Sequence, residues 1–244
     1  MPDDNTLRAL QAAEHCDYET ACGVLHTLGY GKIGNGSDQS TVFRLKDSGC
    51  VVRVFRERYV PAAMMQMGKA VPGNPFLPRL DEYRRLSDNA HALVMEALID
   101  PADVERRIGA QAFRPLGGFL DAYGNFPLGD EKHKECHKAF HLSARNGNLG
   151  PLLQALAGAI AECYEGDPAR CLRLNNRTRS RMLLRPAGSG YFPVFADPLT
   201  MGDDRAAALA EMRTMLERCE NLLGLPAPKR LIGKTPEPPT MLRH

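Results

Sequence analysis

The stretch that most restricts the fold is residues 30–55. Residues 30–45 read as a strand, a glycine-containing loop and a second strand. Lys46-Asp47-Ser48-Gly49 is a turn, and Cys50-Val51-Val52-Arg53-Val54-Phe55 is a third strand. Parallel neighbours need a crossover of about a dozen residues or more, for which there is no room. The three strands therefore form an antiparallel meander. A further hairpin is predicted from 80–86 and 92–95 around the turn Ser87-Asp88-Asn89. In residues 172–200 a polar loop precedes the short apolar strand Met182-Leu183-Leu184. The turn cluster Pro186-Ala187-Gly188-Ser189-Gly190 comes next, then a strand over 191–195, with Asp197-Pro198 directly after it.

The remaining segments read mainly as helices. Residues 5–13 are amphipathic, with Leu7, Leu10 and Ala13 at helical spacing. Asp17 suits the N-cap of a second helix, with Glu19 in its first turn and Gly29 near its end. A helix within 56–69, starting near Pro61, is stopped by Val71-Pro72-Gly73-Asn74-Pro75. Residues 102–112 are helical. Residues 114–129 read as loop because Pro115, Gly117-Gly118, Gly124 and Pro127 interrupt them. Residues 131–143 are a polar helix, 149–164 the most apolar helix, and 203–223 an amphipathic one. The tail, 224–244, carries five prolines and reads as extended or disordered. The expected class is α+β: a helical hairpin (1–29), a β-rich unit (30–98), a helical unit (99–223) and a proline-rich tail (224–244).

Composition narrows the function. Hydrophobic residues make up 43% and charged residues 25% of the 244 residues, enough for a sizeable core. The net charge of +2 provides no strong field for nucleic acid or an anionic membrane, so neither is an expected partner. No apolar run approaches a membrane span, and the acidic start, MPDDNTLRAL, does not read as a signal peptide. Seven cysteines without a CxxC pair fit reduced thiols in a cytoplasmic compartment.

The order of elements resembles a protein kinase, and more specifically the early serine/threonine protein kinases of short-tailed lytic bacteriophages. The resemblance rests on Gln11-Ala12-Ala13-Glu14-His15-Cys16-Asp17 and on Gly29-Tyr30-Gly31-Lys32-Ile33-Gly34-Asn35-Gly36. It resumes at Val52-Arg53-Val54, at Leu93-Val94-Met95-Glu96-Ala97-Leu98, and over 182–198. It implies a two-lobed protein kinase-like fold with an antiparallel sheet in the N-lobe and a helical C-lobe. It also implies ATP and magnesium as cofactors, a host or phage protein as partner, and action in the cytoplasm of an infected bacterial host. The basic C-terminal extension of those kinases has no counterpart in the proline-rich tail.

Phosphoryl transfer needs a cation on the phosphates, metal ligands, and a carboxylate that orients the attacking hydroxyl. The resemblance places the phosphate-binding loop at Gly34, Asn35, Gly36 and Ser37, which would equally suit a plain β-turn. It puts Arg53 where the strand lysine belongs. Arginine keeps the charge but changes the reach, and the other reading is a surface residue at a strand end. No glutamate in the following helix is well placed to pair with Arg53, since Glu57 lies early. Backbone groups of Glu96 and Leu98 would meet an adenine edge, or simply end a strand. The catalytic aspartate falls at Asn176 and the metal-binding asparagine at Arg181. Asn176 cannot serve as a base, and Arg181 puts a positive charge where a metal ligand belongs. Asp197 matches the metal-binding aspartate, or caps a turn before proline.

Altered residues therefore stand at three of the four chemical positions, which implies a pseudokinase. The alternatives are a divergent active kinase, and a nucleotide-free interaction module or inhibitor with a basic cleft. Two further clusters stand apart. His133, Cys136, His137 and His141 have zinc-compatible helical spacing, but lysines and a glutamate interleave them as on a solvated face. Arg173, Arg177, Arg179, Arg181 and Arg185 could grip an acidic or phosphorylated partner, or lie scattered on the surface.

Overall fold

The computed structural model describes residues 3–37, 39–124, 149–162, 171–175 and 182–223. Two capped helices open the chain. In α1 (Asp4–Ala12) the Asp3 carboxylate accepts the Thr6 N–H at 2.7 Å, and in α2 (Tyr18–Thr27) the Asp17 carboxylate accepts the Thr20 N–H at 2.8 Å. Both side chains satisfy amides that a helix start leaves open. Those hydrogen bonds hold the Asp3 and Asp17 pKa values below the usual carboxylate range. Gly29, at φ +87°, turns the chain out of α2 in a conformation that favours glycine.

A five-stranded antiparallel sheet follows. Its strands are β1 (Gly31–Ser37), β2 (Ser40–Arg44), β3 (Cys50–Phe55), β4 (Leu80–Ser87) and β5 (Ala90–Glu96), in the spatial order β1-β2-β3-β5-β4. Period-two alternation sorts the central strands. Val52 and Val54 of β3 and Ala92 and Val94 of β5 meet Leu10, Tyr18 and Leu25 of the helical hairpin. Val51 and Phe55, with Leu93 and Met95, point the other way. There they join α3 (Tyr59–Ala70) through Met64 and Met67.

The same apolar cluster continues into the C-terminal half. It includes α4 (Pro101–Ile108), α5 (Ala110–Gly124) and α6 (Leu149–Glu162). It also takes in β6 (Cys171–Leu174), β7 (Met182–Ala187), β9 (Leu199–Gly202) and α7 (Arg205–Leu223), with β8 (Gly190–Phe195) packed against it. β7 pairs with β8, and β6 with β9. The expected α+β class is the one observed. A five-stranded antiparallel sheet with one helix between its third and fourth strands leads into a mainly helical half bearing a hairpin, the order of elements that the resemblance implies.

Four local expectations differ from the structure. The glycine stretch is not a loop: β1 runs through to Ser37. The helix expected near Pro61 begins at Tyr59, which leaves Pro61 in the first turn, where a missing N–H costs little. Residues 110–124 are helical despite Pro115 and the glycine pair. Phe113 and Leu120, both buried, recur one helix face apart, and their burial outweighs local propensity. The polar loop expected before the hairpin contains β6, whose partner β9 lies far along the sequence. Gly202 permits that pairing, since a Cβ there would stand 2.8 Å from Arg173 Cδ and 3.0 Å from Cys171 Sγ. The polar helix expected at 131–143 and the proline-rich tail lie outside the described residues.

Several contacts among the described residues tie the halves together. Ile99 and Leu184 exchange two backbone hydrogen bonds at 2.9 and 2.8 Å, and the Phe195 N–H donates to the Phe76 carbonyl at 2.8 Å. The Phe76 ring, fully buried, lies 5.0 Å from that of Phe192. Arg185 pairs with Glu96 and donates to the carbonyls of Pro75 at 2.7 Å and Leu77 at 2.8 Å.

Two stability predictions follow from this packing. Leu93→Ala opens a cavity in the middle of the sheet, and a loss of about 3 kcal/mol is expected in urea unfolding with an unchanged m-value. His91 is buried, with Nδ1 2.9 Å from the Tyr83 hydroxyl. Burial lowers its pKa, Arg85 and Arg58 push the same way, and a hydrogen bond to the Asp88 backbone opposes them. The unfolded chain therefore takes up the proton first, and stability is lost as pH falls through about 6.5. A urea series at stepped pH should show this slope in the wild type and a flatter one in His91→Gln; equal slopes would assign the acid sensitivity to other groups.

Candidate functional site

Alternation along β3 decides where Arg53 points. Val52 and Val54 face the helical hairpin, so Arg53 shares the opposite face with Val51 and Phe55. It is 4% exposed, which rules out the surface reading of this residue. Its guanidinium carbon lies 4.5 Å from the centroid of the Phe55 ring.

Asp197 reaches the same place from the other half. It stands in the turn between β8 and β9 and is itself buried. Neighbouring backbone contacts fix that turn: the Phe195 N–H donates to Phe76, and the Asn175 N–H donates to the Pro198 carbonyl at 3.0 Å. Arg53 and Asp197 meet side by side. Nη2 donates to Oδ2 at 3.1 Å, and Nη1 lies 2.9 Å from Oδ1. Such a two-point contact uses the planar fork of arginine in a way a lysine could not.

Ser40 closes the arrangement from above. Its Oγ accepts from Arg53 Nε at 3.0 Å and Nη2 at 2.9 Å. Ser40 also pairs with Ser37 across the β1–β2 hairpin. Gly34, Asn35, Gly36 and Ser37 form the last residues of β1, leading into that hairpin turn. Through Ser40, the end of β1 at Ser37 is joined to Arg53 and Asp197.

The other predicted positions lie elsewhere. Glu96 ends β5, its N–H donates to the Arg79 carbonyl at 2.9 Å, and its carboxylate pairs with Arg185. The flanking Ala97 and Ile99 amides donate to the Gly49 and Leu184 carbonyls, each at 2.9 Å, and Leu98 lies between them. Glu57 caps α3, accepting from the Tyr59 and Val60 N–H groups. Asn176 and Arg181 fall outside the described residues, as do Arg177 and Arg179, but the ends of that segment are placed. Asn175 is tied to Pro198 and Met182 pairs with Phe195, so both ends flank Asp197. His133, Cys136, His137 and His141 also lie outside. Among the described residues no group of three or more side chains could hold a metal ion.

Two participants escaped the sequence reading. Ser40 could have been found from register: with Ser40 opposite Phe55 and Val42 opposite Arg53, it must share the inner face. The Arg185–Glu96 pair gave no such signal, because the two residues are far apart in the chain. Arg185 is not free to grip a partner as the arginine-cluster reading supposed.

The chemistry available here is an exchange. An anionic group can take Arg53 only by displacing Asp197. A divalent cation can take Asp197 only by displacing a guanidinium, and it would be repelled if the arginine stayed. The donor set suits a phosphate better than magnesium, which lacks a second carboxylate among the described neighbours of Asp197.

No protein-family model matches this sequence, and no curated protein does. Solved structures of the aminoglycoside phosphotransferase APH(4)-Ia are similar to it at a low level. A thermostable mutant in the apo form has 10% identity over 85% of each chain, with a TM-score of 0.35. A mutant in ternary complex with ADP and hygromycin B has 10% identity over 86% of this chain and 85% of that one, with a TM-score of 0.34. Another structure of the enzyme has 12% identity over 83% and 80%, again with a TM-score of 0.34. Likeness at this level says nothing of substrate or chemistry. Among the described residues no helix is long and apolar enough to cross a membrane.

Breaking the buried pair should cost more than removing it. Arg53→Met and Asp197→Leu are each expected to lose about 3–5 kcal/mol, because each leaves one charge buried without its partner. The double variant Arg53→Met/Asp197→Leu should recover much of that loss. Strictly additive losses in urea unfolding would mean that the two side chains are not coupled.

Proposed function

We propose that this chain is a protein kinase-like protein that has lost phosphotransfer, a pseudokinase of the phage type. Its cleft admits a nucleotide phosphate at Arg53, and it acts by engaging a host or phage protein in the infected cell. The observation that carries this reading is the Arg53–Asp197 contact beneath the glycine hairpin. A cation and a carboxylate from distant parts of the chain meet, as the kinase alignment expects of residues that would handle phosphate and metal, and this supports that alignment. Their mutual neutralisation, with Asn176 and Arg181 in the adjoining segment, argues against catalysis. Without an aspartate to orient the hydroxyl and a second metal ligand, the charge that develops on the transferred phosphoryl group has too few partners.

A second reading has its own support. Arg53 already takes its polar contacts from Ser40 and Asp197, so the same site could be a structural lock in an interaction module that binds no nucleotide.

One paired measurement separates these readings. Thermal unfolding is followed with ATP, with and without magnesium, alongside transfer of labelled phosphate to a bacterial lysate. The pseudokinase reading expects stabilisation by ATP of similar size in both conditions, removal of that increment by Arg53→Met, and no transfer. Transfer that depends on magnesium and disappears in Asp197→Ala would overturn it in favour of an active kinase. Absence of any ATP effect would leave the nucleotide-free module.

A further inference from the structure

A groove of about 540 Å³ lies apart from the Arg53–Asp197 site. It runs between the C-terminal end of α3, the segment 71–80 and the Glu96–Arg185 contact. Its size is that of a ligand-binding cleft. Met65, Val71, Leu77 and Leu80 provide apolar walls, while Lys69 and Arg79 stand at the edges.

The charges here are sorted by depth. Arg79 pairs with Asp81, but the arginine side chain is 55% exposed and the aspartate 8%. Arg185 pairs with Glu96 in the same sense, at 26% against 13%. Lys69 is exposed and has no carboxylate partner among the described residues. In each pair the carboxylate is the less exposed partner, and at its edges the groove presents the Lys69 ammonium and the Arg79 guanidinium to solvent, between apolar walls. Such a surface complements a chain that carries both apolar side chains and carboxylates. It opposes the proline-rich tail of this molecule, where Lys229, Arg230, Lys234 and Arg243 outnumber the one acid, Glu237.

We infer that this groove docks an acidic linear segment of a partner protein, with apolar side chains against Met65, Val71 and Leu80 and carboxylates against Lys69 and Arg79. This rests on the reading that the chain acts by engaging another protein, and it names the surface and the partner's chemistry. The ion pairs already present limit the electrostatic gain, so the contact is expected to be specific in sequence but sensitive to salt.

The test is selection from a displayed random octapeptide library on the full-length protein, with counter-selection on Lys69→Glu. Binding of the most enriched synthetic peptide is then followed by fluorescence anisotropy. Enrichment of segments alternating Asp or Glu with Leu, Val or Phe is expected. Binding should weaken about tenfold in Lys69→Glu, persist in Lys69→Arg, and fall as salt is raised. Lys69 is exposed, and neither Arg53 nor Asp197 lines its groove, so the response to ATP should be the same in all three proteins. No enrichment, basic or purely apolar winners, or binding indifferent to Lys69→Glu would overturn the proposal. Displacement of the peptide by free glutamate or inorganic phosphate at the peptide's own concentration would also overturn it, leaving a small-anion site. Phosphate transfer by the wild type would overturn the pseudokinase reading without touching these outcomes.

Discussion

Two opposite charges held away from water organise this molecule. Removing a guanidinium and a carboxylate from solvent costs several kcal/mol for each ion, and proximity alone does not offset that. The cost is met by geometry: a hydrogen bond and an ion contact from Arg53 to Asp197, two hydrogen bonds to Ser40, and the Phe55 ring against the cation. The components come from three different elements. β2 brings the serine, β3 the arginine and the ring, and the β8–β9 turn the aspartate. The pair can form only when the sheet and the C-terminal hairpins are in their final relation, so it reports on the whole assembly.

That relation is enforced mainly by apolar packing. One cluster runs from Val51 and Leu93 in the sheet through α3 and α6 to Leu172, Leu199 and Met212. The directional contacts at its border set the register: the Ile99–Leu184 exchange, the Phe76–Phe195 hydrogen bond, and Arg185 reaching Glu96 and two carbonyls. The helical hairpin covers the opposite face of the sheet, so β3 and β5 are buried on both sides. Arg53 sits in the most enclosed strand of the sheet, and an arginine there needs a dedicated acceptor. This gives Asp197 a role in holding the fold whether or not a nucleotide ever enters.

Much of the sheet was legible because strand signals are local. The β-branched run of 50–55 and the short turns around it allowed one pairing, and the observed β3 has those bounds. The cap of α2 at Asp17 was legible for the same reason, since capping chemistry lies within four residues. The helix over Ala110–Gly124 was not, because its proline and glycines speak against it locally and only the burial of Phe113 and Leu120 speaks for it. β6 was missed because four residues carry too little pattern and their partner is β9. At the candidate site, Arg53, Asp197 and the glycine segment could be proposed by alignment to a kinase plan. Ser40 required the β2–β3 register, and Arg185 required the packing of β7 beside the end of β5.

By itself the sequence determined that an antiparallel meander would form, that Arg53 would alternate with valines on its third strand, and that an aspartate would follow the late hairpin. These depend on backbone sterics and on a side-chain period of two, which act within a few residues. Tertiary structure decided that Arg53 is buried, that its partner is Asp197, and that Arg185 is consumed by Glu96. It also decided that a cationic groove opens beside α3. Those outcomes depend on which surfaces lose their water when distant segments pack, and no local pattern in the chain encodes that.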